Sequence, residues 1–69
     1  MNIEELEIGD LVEPNNNHIW YGYKQVIKVL SIDNANKLFW GKVIESDLFF
    51  EHKPVNSEHY FFPLTYKLI

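Results

Sequence analysis

Two runs of β-branched and aromatic residues, facing each other across a short polar break, constrain this chain more than any other feature. Lys24 to Ile32 reads Lys-Gln-Val-Ile-Lys-Val-Leu-Ser-Ile, and Lys37 to Glu45 reads Lys-Leu-Phe-Trp-Gly-Lys-Val-Ile-Glu. Between them stand Asp33, Asn34, Ala35 and Asn36. Asp and Asn bond their own backbone and tolerate left-handed dihedrals, which a tight reversal requires, so the stretch reads as a β-hairpin. In the first arm Ile27 and Val29 fall on one face and Val26, Leu30 and Ile32 on the other. A helix aligning Val26, Leu30 and Asp33 fits worse, because β-branching and the flanking turn residues favour strand. The uneven alternation predicts a long, strongly bent strand whose two halves serve two sides of a small barrel. In the second arm Phe39, Gly41 and Val43 share one face, and Leu38, Trp40, Lys42 and Ile44 the other.

The rest of the chain has to pack on that hairpin. Asn2 and Glu5 have capping-box spacing, so one helical turn is as good a reading there as an extended arm. Gly9-Asp10 marks a turn, and Leu11-Val12 opens a short strand that Pro14 ends by removing a ladder donor. Asn15 to His18 is a polar loop, and Ile19-Trp20-Tyr21-Gly22-Tyr23 is an aromatic patch. Gly22 within it predicts a bulge or a close backbone approach. Leu48 to Lys53 reads as a further long strand before Pro54, and Tyr60 to Phe62 as a short last strand ended by Pro63. The tail from Leu64 to Ile69 predicts a helical turn capped by Thr65. Five short strands with turn signals between them point to an all-β, five-stranded antiparallel barrel or roll.

A chain of 69 residues is one domain, 1–69, and a small one. It buries only about 60% of the surface that its unfolded form exposes, so its core must consist of large side chains. Two Trp, four Tyr and five Phe supply them. Each ring encloses roughly 150–250 Å² when buried, which offsets ordering entropy without covalent staples. There is no cysteine, hence no disulfide framework and no thiolate metal cage, as in a reducing compartment. No apolar run approaches the ~20 residues that span a bilayer, and the start of the chain is acidic where a signal peptide is basic. The expectation is a cytoplasmic protein with no membrane partner.

The charge is uneven. Glu4, Glu5, Glu7, Asp10 and Glu13 crowd the beginning of a chain whose formal net charge is −4. All six basic side chains are lysines. Arginine is the usual bidentate reader of guanine and phosphate, so its absence and the negative total weigh against a dedicated nucleic-acid binder.

Leu6-Glu7-Ile8-Gly9-Asp10-Leu11-Val12 resembles the opening strand of SH3-like barrels, a group that includes KOW-type and Tudor-type modules. The run from Val26 to Ile32 is similar to the long strand that follows the variable loop in them. Phe62-Pro63-Leu64-Thr65 resembles the Ile-Pro-Leu-Thr close of a family of small bacterial and phage proteins that also begin with an Ile-Gly-x-x-Val strand. That resemblance implies an SH3-like fold and a mobile-element setting, and no activity. The chain departs from that family where Tyr66-Lys67 replaces an acidic helix.

Candidates for chemistry are few. His52 and His59 with Glu51 or Glu58 have donor atoms that suit zinc, but no pair has the i, i+4 spacing of a metal helix, so no metal and no cofactor is expected. Ser57-Glu58-His59 sets hydroxyl, acid and imidazole side by side, but neighbours on a strand point to opposite faces and do not form a triad. Gly9, Gly22 and Gly41 are isolated, so there is no phosphate-cradling loop. No enzymatic activity is expected.

The aromatic surplus carries the functional reading. Phe39 and Trp40 point to opposite faces of one strand, as do Phe49 and Phe50, and a single layer cannot bury both members of each pair. Rings left outside mark a partner surface. The expectation is a non-enzymatic module that binds a protein partner or a second copy of itself through Trp20, Tyr21, Tyr23 and Trp40. In the Tudor-type resemblance these rings imply a cage for a methylated ammonium, with Glu45 or Asp47 as its acid. The alternative is a nucleic-acid-associated barrel using Lys24, Lys28, Lys37 and Lys42 around the hairpin. A third reading takes the acidic beginning of the chain as a phage-type mimic of a phosphate backbone that blocks a host nucleic-acid-binding protein.

Overall fold

The structure is a computed structural model that describes residues 1–47 and 53–69. Among the described residues it is all-β: five antiparallel strands in one sheet, with two 3-10 turns at Ile3–Glu5 and Pro63–Thr65. The strands are β1 (Leu11–Pro14), β2 (Gln25–Asp33), β3 (Leu38–Ser46), β4 (Glu58–Phe61) and β5 (Tyr66–Leu68). Their spatial order is β4-β3-β2-β1-β5. Among the described residues no helix is long and apolar enough to cross a membrane.

β2 and β3 form the predicted hairpin, pairing from Gln25↔Ser46 to Asp33↔Leu38. Asp33 closes its turn: Oδ1 accepts the Asn36 N–H at 3.1 Å and Oδ2 the Asn36 amide at 2.9 Å. Those donors hold the Asp33 carboxyl below the usual carboxylate range. The left-handed residue of the reversal is Lys37, at φ 59°, rather than one of the asparagines.

The ladder along β2, expected to be strongly bent, is irregular. The register shifts twice, between Val26 and Ile27 and between Val29 and Ser31. An extra residue in one strand reverses the inward–outward phase beyond it. Ile32, grouped with Val26 and Leu30 by simple alternation, therefore pairs with buried Phe39 and packs against the core. Gly41 explains itself in the same sheet. A Cβ there would meet Ile27 Cγ2 at 2.5 Å and both Lys28 O and Phe39 Cε2 at 3.2 Å, so only glycine fits beneath the Phe39 ring.

The core is one cluster: Ile3, Leu6, Val12, Ile27, Val29, Phe39, Val43, Phe61 and Tyr66. Phe39 stacks on Phe61 at 5.4 Å, and Tyr66 meets both edge-on at 6.0 and 5.6 Å. Phe61 and Tyr66 come from the two edge strands, so the sheet curls until its edges share one aromatic contact. Gln25 is buried among these residues and accepts the Tyr66 hydroxyl at 3.1 Å, while its Nε2 has no partner among the described residues.

Three local expectations need correction. The tail is not a helical turn capped by Thr65: Pro63–Thr65 is 3-10, the Thr65 hydroxyl donates back to Phe62 O, and Tyr66–Leu68 is strand. The register Val12↔Leu68, Glu13↔Lys67 and Pro14↔Tyr66 satisfies a β1 edge that would otherwise be bare, which outweighs the weak local helix signal. Gly22 is neither bulge nor close approach. It takes a left-handed φ of 98° in a loop turn, with open space where its Cβ would lie. The turn at Ile3–Glu5 forms, but Asn2 makes no side-chain cap. The long strand expected at 48–53 lies almost wholly outside the described residues, with only Lys53 described and non-strand.

Candidate functional site

The segment between β1 and β2 holds three of the aromatic residues singled out from the sequence, and its polar residues are what shape it. Asn15 is the anchor. Its backbone N–H donates to Thr65 O at 2.9 Å, and its amide donates to Leu64 O at 2.9 Å and Tyr66 O at 3.2 Å. Its Oδ1 accepts the Asn17 N–H at 2.9 Å, an Asx turn. His18 then lies with its ring 5.4 Å from Trp20 and 5.1 Å from Tyr66, and its Nδ1 accepts the Trp20 N–H at 3.0 Å. Two further turns, Tyr21 N–H to His18 O and Tyr23 N–H to Trp20 O, complete the segment.

This scaffold sorts the rings. Trp20 lies half-buried against His18, whereas Tyr21 and Tyr23 are 56% and 55% exposed. The two tyrosines wall a groove of about 460 Å³ together with Pro14, Glu13, Lys24 and Lys67. The Lys67 ammonium lies 5.9 Å from the Tyr21 ring centroid and 3.6 Å from Glu13 Oε1. Lys24 is paired with Glu45 at 2.7 Å, and that hydrogen bond and charge hold its ammonium above the usual lysine range. Glu45 is therefore committed to a lysine rather than placed as the acid of an aromatic cage.

Trp40 belongs to a different surface. It lies on the outer face of β3, 4.7 Å from Tyr60 in a T-shaped contact, with its indole N–H donating to Glu58 Oε1 at 2.8 Å. Lys28 and Lys42 stand opposite each other on that same face. Lys37 is on the hairpin turn, 4.0 Å from Glu4. The structure thus splits the predicted aromatic set in two, Trp20, Tyr21 and Tyr23 on the loop and Trp40 on the sheet. The four lysines separate likewise into ion-paired Lys24 and Lys37 and the cross-strand couple Lys28 and Lys42.

Sequence reading missed Glu13, Pro14 and Lys67 as groove residues, because only the β1–β5 pairing brings them beside the loop. It also missed Tyr60, which became legible once β4 was in register with β3. A second hollow of about 460 Å³, walled by Phe62, Pro63 and Leu64, follows from the 3-10 turn that replaced the expected helix.

Ser57 and His59 do share a face, being two residues apart on an extended segment, and Ser57 Oγ lies 2.8 Å from His59 Nε2. The Ser57 hydroxyl also lies within hydrogen-bond reach of Pro54 O, as a donor to that carbonyl. Glu58 points the other way, to Trp40. Among the described residues no group of three His, Cys, Asp or Glu side chains is placed to hold a metal ion. His52 and Glu51 lie outside the described residues. Compared with known proteins, the chain matches no family model, no curated protein and no solved structure at a significant level.

Proposed function

We propose that this protein is a non-enzymatic interaction module that takes an extended segment of a partner protein in the groove beside Tyr21 and Tyr23. One observation carries the reading: two tyrosines on either side of Gly22, each more than half exposed, are held outward by a loop tied down at both ends. Tyrosine offers large, rigid contact area at low entropic cost and a hydroxyl that tolerates water, which is why it concentrates at binding surfaces. Pro14 floors the groove with an apolar surface, and Glu13, Lys24 and Lys67 give it charges of both signs at the rim. That anatomy suits a short peptide with an apolar anchor and polar flanks. The strand order β4-β3-β2-β1-β5, with a 3-10 turn leading into β5, supports placing the module among SH3-like folds.

A random peptide library displayed against the protein tests the proposal. Enriched peptides should shift the NMR signals of Tyr21, Gly22, Tyr23 and Lys67 and lose affinity in Tyr21→Ala. Peptides that perturb only other surfaces, or a library that yields no binder, would remove the groove as the site. A concentration-dependent mass in light scattering that Tyr21→Ala abolishes would make the partner a second copy of the chain.

A further inference from the structure

Charge on the outer face of the sheet is left unneutralised in one place. Lys24, Lys37 and Lys67 each lie within reach of a carboxylate, on Glu45, Glu4 and Glu13 respectively. Among the described residues Lys28 and Lys42 make no ion pair, and the β2–β3 register sets them directly opposite each other. Like charges facing across a ladder, with Cβ atoms roughly 4.5–5.5 Å apart, are destabilising. Their flanking partners in the same row are apolar Leu11 on β1 and Glu58 on β4. Glu58 is turned to the next row, where its Oε1 accepts the Trp40 indole N–H at 2.8 Å. Nothing in the packing of the core requires two ammoniums here.

The next row is aromatic. Ser31, Trp40 and Tyr60 are opposite one another on β2, β3 and β4. Trp40 and Tyr60 form the T-shaped pair at 4.7 Å, and Tyr60 is 58% exposed. Residues two apart on a strand are separated by about 6.7 Å, so the ring pair lies one such step from the ammonium pair.

We infer that this outer face binds single-stranded nucleic acid, with a backbone phosphate between the Lys28 and Lys42 ammoniums and a base stacked on Tyr60 beside Trp40. Strand binding without sequence readout needs only a flat aromatic platform and cationic points along the backbone. The missing arginine and the net charge of −4 weigh against sequence readout and long-range steering, so the binding inferred here is weak and sequence-independent. Arginine's fork reads base edges in duplex grooves, whereas lysine serves a phosphate as a point charge. Asp10 borders β2 next to Lys28 and Glu58 faces Lys42 across the ladder, so their repulsion belongs to the site, while carboxylates farther than roughly 10 Å are screened at 0.1 M salt. An acidic peptide would satisfy the ammoniums but would leave the rings without a planar counterpart. The inference is independent of the Tyr21–Tyr23 groove, which lies among other residues.

Fluorescence anisotropy of a short labelled oligothymidylate, with a glutamate-rich peptide as the second probe, tests it. One neutralised phosphate gives a slope of about −0.7 in log affinity against log salt, or about a 2.6-fold loss between 50 and 200 mM. The double substitution Lys28→Gln/Lys42→Gln should flatten that slope towards zero. Tyr60→Ser should weaken binding about tenfold or more, while Tyr60→Phe, which keeps the ring, should retain it. Circular dichroism verifies that each surface variant is folded. Absence of binding at low salt, a slope unmoved by the lysine substitutions, or capture of the peptide in preference to the oligonucleotide would overturn the inference.

Discussion

Replacing Gly41 by alanine is the sharpest perturbation of the core. The added Cβ would lie 2.5 Å from Ile27 Cγ2, against an optimal carbon–carbon separation of about 3.5–4.0 Å, so at least one group must move by roughly 1 Å. Neither neighbour can yield easily. Ile27 is fully buried on β2 with a stiff β-branched χ1, and Phe39 is fully buried between the Phe61 and Tyr66 rings. Overpacking of this kind costs about 1–3 kcal/mol, and the lost flexibility of the unfolded chain returns about 0.4–1 kcal/mol. The net expectation, from the midpoints of those ranges, is a loss of about 1.3 kcal/mol in a domain whose whole stability, at 0.05–0.15 kcal/mol per residue, is about 3–10 kcal/mol. Urea unfolding should show a lower midpoint with unchanged slope. Ile27→Leu removes the β-branch that carries Cγ2, so the double variant should be less destabilised than the two single losses added together. A Gly41→Ala protein as stable as the parent, or strict additivity with Ile27→Leu, would refute the close packing described for β2 against β3.

Other outcomes follow from the same geometry. Asn36→Ala, which removes the side-chain donor but keeps the residue-36 N–H, should move the Asp33 carboxyl part of the way back towards the ordinary carboxylate range, followed by its ¹³C shift. Because the folded-state value lies below the unfolded one, the stability linked to Asp33 is present above the unfolded value and is lost as pH falls through the folded one. Lys37→Gly should leave the hairpin unharmed or stabilise it by up to about 1 kcal/mol, since only glycine takes a left-handed φ without steric cost; a clear loss in thermal unfolding would contradict that. Asn15→Ala should destabilise by about 1–3 kcal/mol by removing bonds to the Leu64 and Tyr66 carbonyls, and should broaden the NMR signals of residues 16–23. Phe61→Ala, which dismantles the three-ring cluster, should cost about 3–5 kcal/mol, readable as a collapse of the unfolding midpoint.

The hairpin and β1 were legible because their signals are local. Alternation, β-branching and the Asp33–Asn36 turn all act within a few residues, and Gly9-Asp10 places its turn as read, with Gly9 at φ 97° and Asp10 accepting the Glu7 N–H. What could not be read depends on contacts across the chain. Tyr66-Lys67-Leu68 becomes strand only because β1 offers an edge, and Ile32 faces inward only because the ladder slips one residue beside Leu30. The candidate site divides on the same principle. Tyr21 and Tyr23 were found by ring density in the sequence, but the residues that turn two exposed rings into a groove, Pro14, Glu13 and Lys67, come from strands that meet it through pairing. Trp40 left that group because β3 carries it to the outer face beside Tyr60.

The proposed recognition role requires Tyr21 and Tyr23 to stand outside the core and to contribute little to folding. Thermal and urea unfolding of the Tyr21→Ser/Tyr23→Ser protein tests that claim most directly. The prediction is a change within about 1 kcal/mol, the sum of two ordinary surface substitutions. A loss of about 3 kcal/mol or more, the cost of removing buried rings, would mean that the tyrosines hold the fold together and that the groove is not a recognition site.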